Sequence, residues 1–429
     1  MRTHFHFKPK HLETFKRQLL QWANNFNEVV WLDSNHYNQT HSSFEAILAV
    51  DAFSSLQLSE NQSFKQLENY INTTSDWIFG YLSYDLKNNI EKLYSTNFDG
   101  LQFPDLFFFQ PKKVFIFQGN QVSIHYLEEF SFCIQDDLKT IRNESLLSEN
   151  LDSLKLKIES RTSKSSYLEK VKSLQNHIHR GDIYEANFCQ EFFSYGVINP
   201  LATFYKLQNS SQPPFSAYLK NGEHFALSAS PERYLKKNGN LVISQPIKGT
   251  SKRSVHVEED EKLKANLEAN SKERSENVMI VDLVRNDLSR IAEKGSVNVD
   301  ELCGPYTFAQ VHHLISTVSA TIKEEYSSVD VIKSTFPMGS MTGAPKISAM
   351  KIIEQLEDAK RGLYSGAIGY FTPSGDFDFN VVIRSILYNK STSYISFSVG
   401  SAITFKSQPE HEYEECLVKA QAMREALEN

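Results

Sequence analysis

An α+β fold, with antiparallel sheets and flanking helices, is predicted by three features of the sequence. Aromatic runs such as WIFGYLSYDL and KKVFIFQGNQVSIHYL alternate as strands do, and the second reads as a hairpin broken at Gly119-Asn120. The run SYLEKVKSLQNHIHRGD places Leu168, Val171, Leu174 and Ile178 at helical spacing and stops at Gly181, which suits a helix C-terminus. Near the end, YSGAIGYF, DFDFNVVIRSILYN and TSYISFSVGSAITF read as an antiparallel meander joined by polar turns.

In chain order, residues 1–135 form an N-terminal α+β region, residues 136–165 a polar, charged connector without Gly or Pro, and residues 166–429 the motif-rich remainder. The last region holds two strand-like runs, EHFALSAS and NLVISQPI, on either side of a turn segment, PERYLKKNG. A charged helical stretch follows from about Glu258 to Lys294. With 429 residues, 40% of them hydrophobic, the chain can build two domains or one large interwoven unit. No internal repeat is present.

Composition narrows the function. A formal net charge of −7 supplies no basic surface for a phosphate backbone, so a small-molecule substrate is expected and nucleic acid is not. Cys133, Cys189, Cys303 and Cys416 are too scattered for a disulfide framework or a structural zinc site and read as reduced thiols. The N-terminal MRTHFHFKPKHLETFKRQLL has no apolar core of a signal peptide, and no stretch approaches the ~18 apolar residues of a membrane span. A cytoplasmic protein without a membrane partner is expected.

Several segments could carry chemistry. Glu273 and Glu276, and again Glu412 and Glu415, are spaced by three and share a helix face. Such pairs alone are ordinary solvated surface, yet they also suit Mg²⁺, which takes one or two protein oxygens and keeps water. Ser230-Pro231-Glu232-Arg233 and Pro246-Ile247-Lys248-Gly249-Thr250 stand at strand ends, where rigid scaffolds display reactive groups. Lys248 could serve as a nucleophile if its pKa is lowered, although a turn lysine is more often plain surface. FPMGSMTGAPKISAM offers a Gly-rich turn into Pro345, a good first helical residue, and free backbone N–H groups for an anion. Arg384, read as facing the same way as Asp378, Asn380 and Val382 in one strand, needs a partner that a substrate carboxylate could supply. His313 could be an acid, a base or a polar contact.

Eight segments, GDIYEANFCQ, PPFSAYL, SASPERYL, PIKGT, ENVMIVDLVRNDLSR, FPMGSMTGAPK, SGAIGYF and GSAITFKSQPEHEYEE, resemble in their order the chorismate-utilising enzymes over roughly residues 165–425. The family includes anthranilate, aminodeoxychorismate, isochorismate and salicylate synthases. The resemblance implies an anthranilate synthase component I-like fold and chorismate as substrate. It further implies Mg²⁺ held by Glu276 and Glu415 with Glu273 and Glu412 beside them, and Glu232 as the acid that protonates the departing 4-hydroxyl. Arg384, Tyr370 and backbone N–H groups near Gly400 and Ser401 would bind carboxylates, while Thr250 and His313 line the ring.

PIKGT resembles aminodeoxychorismate synthases, whereas anthranilate synthases have alanine in place of the lysine. A covalent Lys248 adduct at C2 would then direct ammonia, supplied by a separate glutamine amidotransferase, to C4 and give 4-amino-4-deoxychorismate for para-aminobenzoate and folate synthesis. Enclosure is expected to lower the Lys248 pKa for this attack. The alternatives are an anthranilate synthase component I and a non-catalytic binding subunit. Glu185 stands where isochorismate and salicylate synthases carry a water-activating lysine and the two ammonia-using enzymes carry glutamine, so it departs from both patterns. WLDS and PPFSAYL resemble the segments of a family tryptophan pocket, but the match at Leu32–Ser34 is too short to predict tryptophan binding.

Overall fold

A computed structural model describes residues 1–37, 40–59, 62–146, 156–308 and 311–428. Among them twenty strands join through antiparallel pairing into two sheets that share the long strands Ala46–Leu58 and Leu106–Gln118. One sheet runs from these to Glu28–Asp33, Phe215–Asn221, His224–Ser230, Ser385–Asn389, Tyr394–Ile403 and Glu185–Tyr195. The other runs through Ile78–Leu82, Ala367–Phe371, Phe377–Val381, Arg233–Asn238 and Leu241–Gln245 to Val311–Thr321. Residues of the first sheet alternate between two cores, as period-2 geometry requires. Val30, Ile47, Ala49 and Leu219 face the second sheet. Val29, Trp31, Leu48 and Tyr218 face a layer of helices that includes Leu12–Ala23, Lys164–Arg180, Pro200–Ser211 and Pro409–Glu428.

The predicted hairpin turns at Gly119 with φ +54°, and the predicted helix ends at Gly181 with φ +83°. Elsewhere the structure differs from the expectation. PERYLKKNG is a strand, Arg233–Asn238, hydrogen-bonded on both sides, because neighbouring strands supply the pairing that its charged composition hides. The charged helical stretch is two helices, Val257–Ala269 and Ser271–Ser289, separated where the Asn270 side chain accepts hydrogen bonds from the Lys272 and Glu273 N–H groups. DFDFNVVIRSILYN is two strands divided at residues 382–384, and Arg384 sits in the break with φ +49°. In FPMGSMTGAPK the Thr342 and Ala344 carbonyl oxygens accept from the Asn187 and Tyr184 N–H groups, which ties this turn to the start of Glu185–Tyr195. Pro345 precedes the first helical residue there, Lys346.

The connector begins inside the helix Ile134–Asn143, whose Ile134, Leu138 and Ile141 enter the core, and residues 147–155 lie outside the described residues. The regions on its two sides are not independent bodies, since Ile78–Leu82 bonds to Ala367–Phe371 and Glu28–Asp33 to Phe215–Asn221. Gly80 lies at one of these joins, where an added Cβ would come within 1.9 Å of the Phe107 carbonyl oxygen. Gly80→Ala is therefore expected to destabilise the fold by ~1–3 kcal/mol through overpacking, read as a lower denaturant midpoint.

Candidate active site

Two breaks in regular pairing open the main cavity. The run His224–Ser230 continues into Arg233–Asn238 through Pro231-Glu232, and opposite it Phe377–Val381 continues into Ser385–Asn389 through residues 382–384. The Val381 N–H donates to the Glu232 carbonyl at 3.0 Å and the Ala229 N–H to that of Arg384 at 3.1 Å, so the breaks face each other. The cavity, about 300 Å³, takes in Glu232, Lys248, Gly249, Thr250, His313, Arg384 and Gly400, and both glutamate pairs.

Lys248 reaches it through a bulge. Ile247 pairs with Ile315 but Thr250 with His313, which leaves one extra residue, and Gly249 takes φ +90° to accommodate it. The Lys248 ammonium donates to Glu185 Oε1 at 2.9 Å. Burial pulls its pKa down, but the charges of Glu185, Glu276 and Glu232 more than reverse this, so the amine is held above its ordinary value and not below it as expected from enclosure. The enclosure that was to neutralise the amine consists of carboxylates. Asn277 clamps the glutamate helix over this strand by donating to the Leu314 carbonyl at 3.3 Å and, more weakly, to that of Lys248 at 3.5 Å.

Glu232 is buried, and desolvation pushes its carboxyl up to about 7 against the opposing influence of Ser340, Lys248 and the Ile247 backbone. A carboxylic acid so poised can donate a proton near neutral pH. The next side chain, Arg233, turns the other way and pairs with Asp378 at 3.0 Å.

His313 is neutral, because burial and then Arg384 hold its pKa well below 6.5. Its Nδ1 lies 3.1 Å from the Gly249 carbonyl and its Nε2 3.2 Å from Arg384 Nη2. A carbonyl only accepts and a guanidinium only donates, which assigns the ring proton to Nδ1. His313 thereby orients Arg384. Burial lowers the arginine to about 10, and no described carboxylate lies within ion-pair distance of it. A carboxylate in the cavity would supply the partner it lacks.

The i,i+3 glutamates do share faces, and two lysines missed in the sequence hold them. Lys272 lies 3.3 Å from Glu412 and 3.7 Å from Glu276, and Lys419 lies 2.7 Å from Glu415. Both lysines stand one turn from a glutamate, an i,i+4 pattern that could have revealed them. Burial raises Glu273 and brings Glu276 to about 7, whereas at Glu415 the lysines led by Lys419 outweigh burial and lower the pKa. Among the described residues, no three acidic, histidine or cysteine side chains converge as a preformed metal cage. Mg²⁺ requires none, and buried Glu276 Oε1, which has no hydrogen-bond partner, is an oxygen that a cation would satisfy.

Tyr370 is not where the resemblance put it. Tyr370 packs against Phe44, Trp77 and Phe79 and lines a separate cavity of about 60 Å³ with Leu32, Ser34, Phe215 and Arg233, because its strand is already buried between two others when it reaches that position. The Ser401 hydroxyl faces Tyr167 at 3.4 Å, on the opposite side of its strand from Gly400. The tyrosine lining the main cavity is Tyr364, together with Asn187, Ser340 and Met341. No periodicity marked them, since all lie in breaks or at strand ends.

The family of chorismate binding enzymes matches residues 27–425. The chain belongs to this family. It is 33% identical to aminodeoxychorismate synthase component 1 of Bacillus subtilis (strain 168) over 81% of this chain and 76% of that protein. It is 34% identical to anthranilate synthase component 1 of Thermus thermophilus over 82% of this chain and 77% of that protein. The fold matches a crystal structure of anthranilate synthase component I from Streptococcus pneumoniae TIGR4, with a TM-score of 0.80, 25% identity and coverage of 91% and 95% of the two chains. The predicted α+β fold of the anthranilate synthase component I type is therefore correct, and no helix of the described residues is long and apolar enough to cross a membrane.

Proposed function

We propose that this chorismate-utilising enzyme is an aminodeoxychorismate synthase component I, converting chorismate and ammonia to 4-amino-4-deoxychorismate. Identity to the Bacillus subtilis and Thermus thermophilus relatives, one of each kind, is equal within a percentage point, so that similarity does not choose between them. The observation that carries the choice is Lys248, whose ammonium enters the same cavity as the raised acid Glu232.

Arg384 binds a carboxylate of the substrate and holds the ring between Lys248 and Glu232. Mg²⁺ held by Glu276 and Glu415, with Glu273 and Glu412 beside them, would offset the charge of a second carboxylate. Once deprotonated, Lys248 forms a C2–N bond while the ring double bonds shift and the C4–O bond breaks. Glu232 gives its proton to the departing oxygen, which leaves as water. Ammonia from a glutamine amidotransferase partner then enters at C4, and the C2–N bond breaks with its electron pair returning to Lys248.

The deciding assay combines the protein with chorismate, an ammonium salt and Mg²⁺ and identifies the product by mass spectrometry. 4-Amino-4-deoxychorismate is expected, and fluorescent anthranilate would overturn the reading. Glu232→Gln is expected to slow loss of the 4-hydroxyl by roughly 10²–10⁴-fold. The wild-type rate should fall as pH rises above about 7, because ionisation removes the proton donor, and this limb should vanish in the variant.

A further inference from the structure

Lys248 enters the reaction as a cation, and a cation has no lone pair with which to attack. Three carboxylates surround it: Glu185 from the strand Glu185–Tyr195, Glu232 from the break after His224–Ser230, and Glu276 from the helix Ser271–Ser289. Only Glu185, among the described residues, lies within ion-pair distance, at 2.9 Å. Glu232 must keep its own proton for the leaving oxygen, and Glu276 stands beyond that distance among the cation-holding acids.

Glu185 is wholly buried, and while Oε1 accepts from Lys248, Oε2 has no hydrogen-bond partner. A buried carboxylate oxygen left unsatisfied is costly, so an acid held this way has a reason beyond packing. Its position is rigid. Gly343 and Ala344 pair with Ala186 and Glu185, and a Cβ on Gly343 would come within 2.2 Å of the Glu185 carbonyl oxygen.

Resting on the Lys248 reading above, we propose that Glu185 is a catalytic proton acceptor that converts Lys248 from an ammonium into a nucleophile and later returns the proton. In the first half-reaction one Lys248 N–H bond breaks, its proton passes to Glu185, and the freed electron pair forms the bond to C2 as Glu232 protonates the leaving hydroxyl. In the second, ammonia bonds to C4, the C2–N bond breaks and Lys248 leaves as a neutral amine. The new C4 ammonium gives a proton to Glu232, and Lys248 recovers its proton from Glu185. Each acid ends as it began, and the net change is chorismate plus ammonia to the amino product plus water.

Glutamine at this position would still hold the amine through its amide oxygen. The carboxylate adds a place for the proton, and this difference defines the test. Adduct formation is followed by intact-protein mass spectrometry after mixing the full chain with chorismate and Mg²⁺ without ammonia, for wild type, Glu185→Gln and Glu185→Asp across pH 6–9. Glu185→Gln should form the adduct roughly 10²–10⁴-fold more slowly at neutral pH, with the rate climbing about tenfold per pH unit below about pH 7 as hydroxide replaces the lost base and levelling above it as Glu232 ionises. Glu185→Asp, which keeps an acceptor, should retain the shallower wild-type profile at reduced rate. A Glu185→Gln rate equal to wild type overturns the assignment, and so does a loss in that variant that does not lessen as pH rises from 6 to 7. Failure of the wild type to form any adduct instead overturns the covalent role of Lys248, a separately readable outcome.

Discussion

Lys248→Ala is expected to abolish covalent attachment of the substrate and to lower formation of the 4-amino product by roughly 10³-fold or more, the scale on which removal of a catalytic nucleophile acts. The side chain stands in a bulge with Gly249 at φ +90°, so truncation leaves the backbone that aims it intact. Wild type incubated with chorismate and Mg²⁺ but no ammonia should gain the mass of chorismate minus water on the peptide containing Lys248, and the alanine variant should not. Any residual ammonia chemistry in the variant should move toward C2 and anthranilate-type products, because nothing then occupies C2 first. A variant that makes the 4-amino product at the wild-type rate would sink both the covalent route and the choice between the two synthases.

Glu276→Gln is expected to reduce turnover nearly to background while leaving the fold at least as stable as wild type. Burial pushes this carboxyl from an ordinary 4.5 to about 7. A raised acid stabilises the fold fully only below its unfolded pKa, and that contribution is lost as pH rises from about 4.5 through about 7. Above pH 7 without metal, the ionised carboxylate is a burden that glutamine removes. The wild type should melt at higher temperature when Mg²⁺ is added at pH 8, and Glu276→Gln should lose most of that shift. Full wild-type activity in excess chelator, or an equal Mg²⁺ shift in the variant, would overturn the metal assignment.

Much of the fold and some of the site are legible in the residues. Leu168, Val171, Leu174 and Ile178 before Gly181, and the Gly119 turn between alternating runs, are local patterns whose geometry follows from backbone preference and side-chain period. The glutamate pairs are equally local, because spacing on one helix determines a shared face whatever surrounds it. PERYLKKNG reads as a turn in isolation because its strand character comes from two partner strands distant in sequence. Arg384 reads as a strand residue because nothing in DFDFNVVIRSILYN announces the break that turns its side chain toward His313.

By itself, therefore, the sequence determined the α+β class, the family and the helix faces bearing Glu273, Glu276, Glu412 and Glu415. Only the tertiary structure decided which tyrosine lines the cavity, since Tyr364 and Tyr370 differ in what neighbouring strands cover. Only it decided the charge of Lys248. Burial alone would lower an amine's pKa, but the partner that reverses it, Glu185, arrives from a strand far away in the chain, and Coulomb energy depends on distance in space and not on separation in sequence.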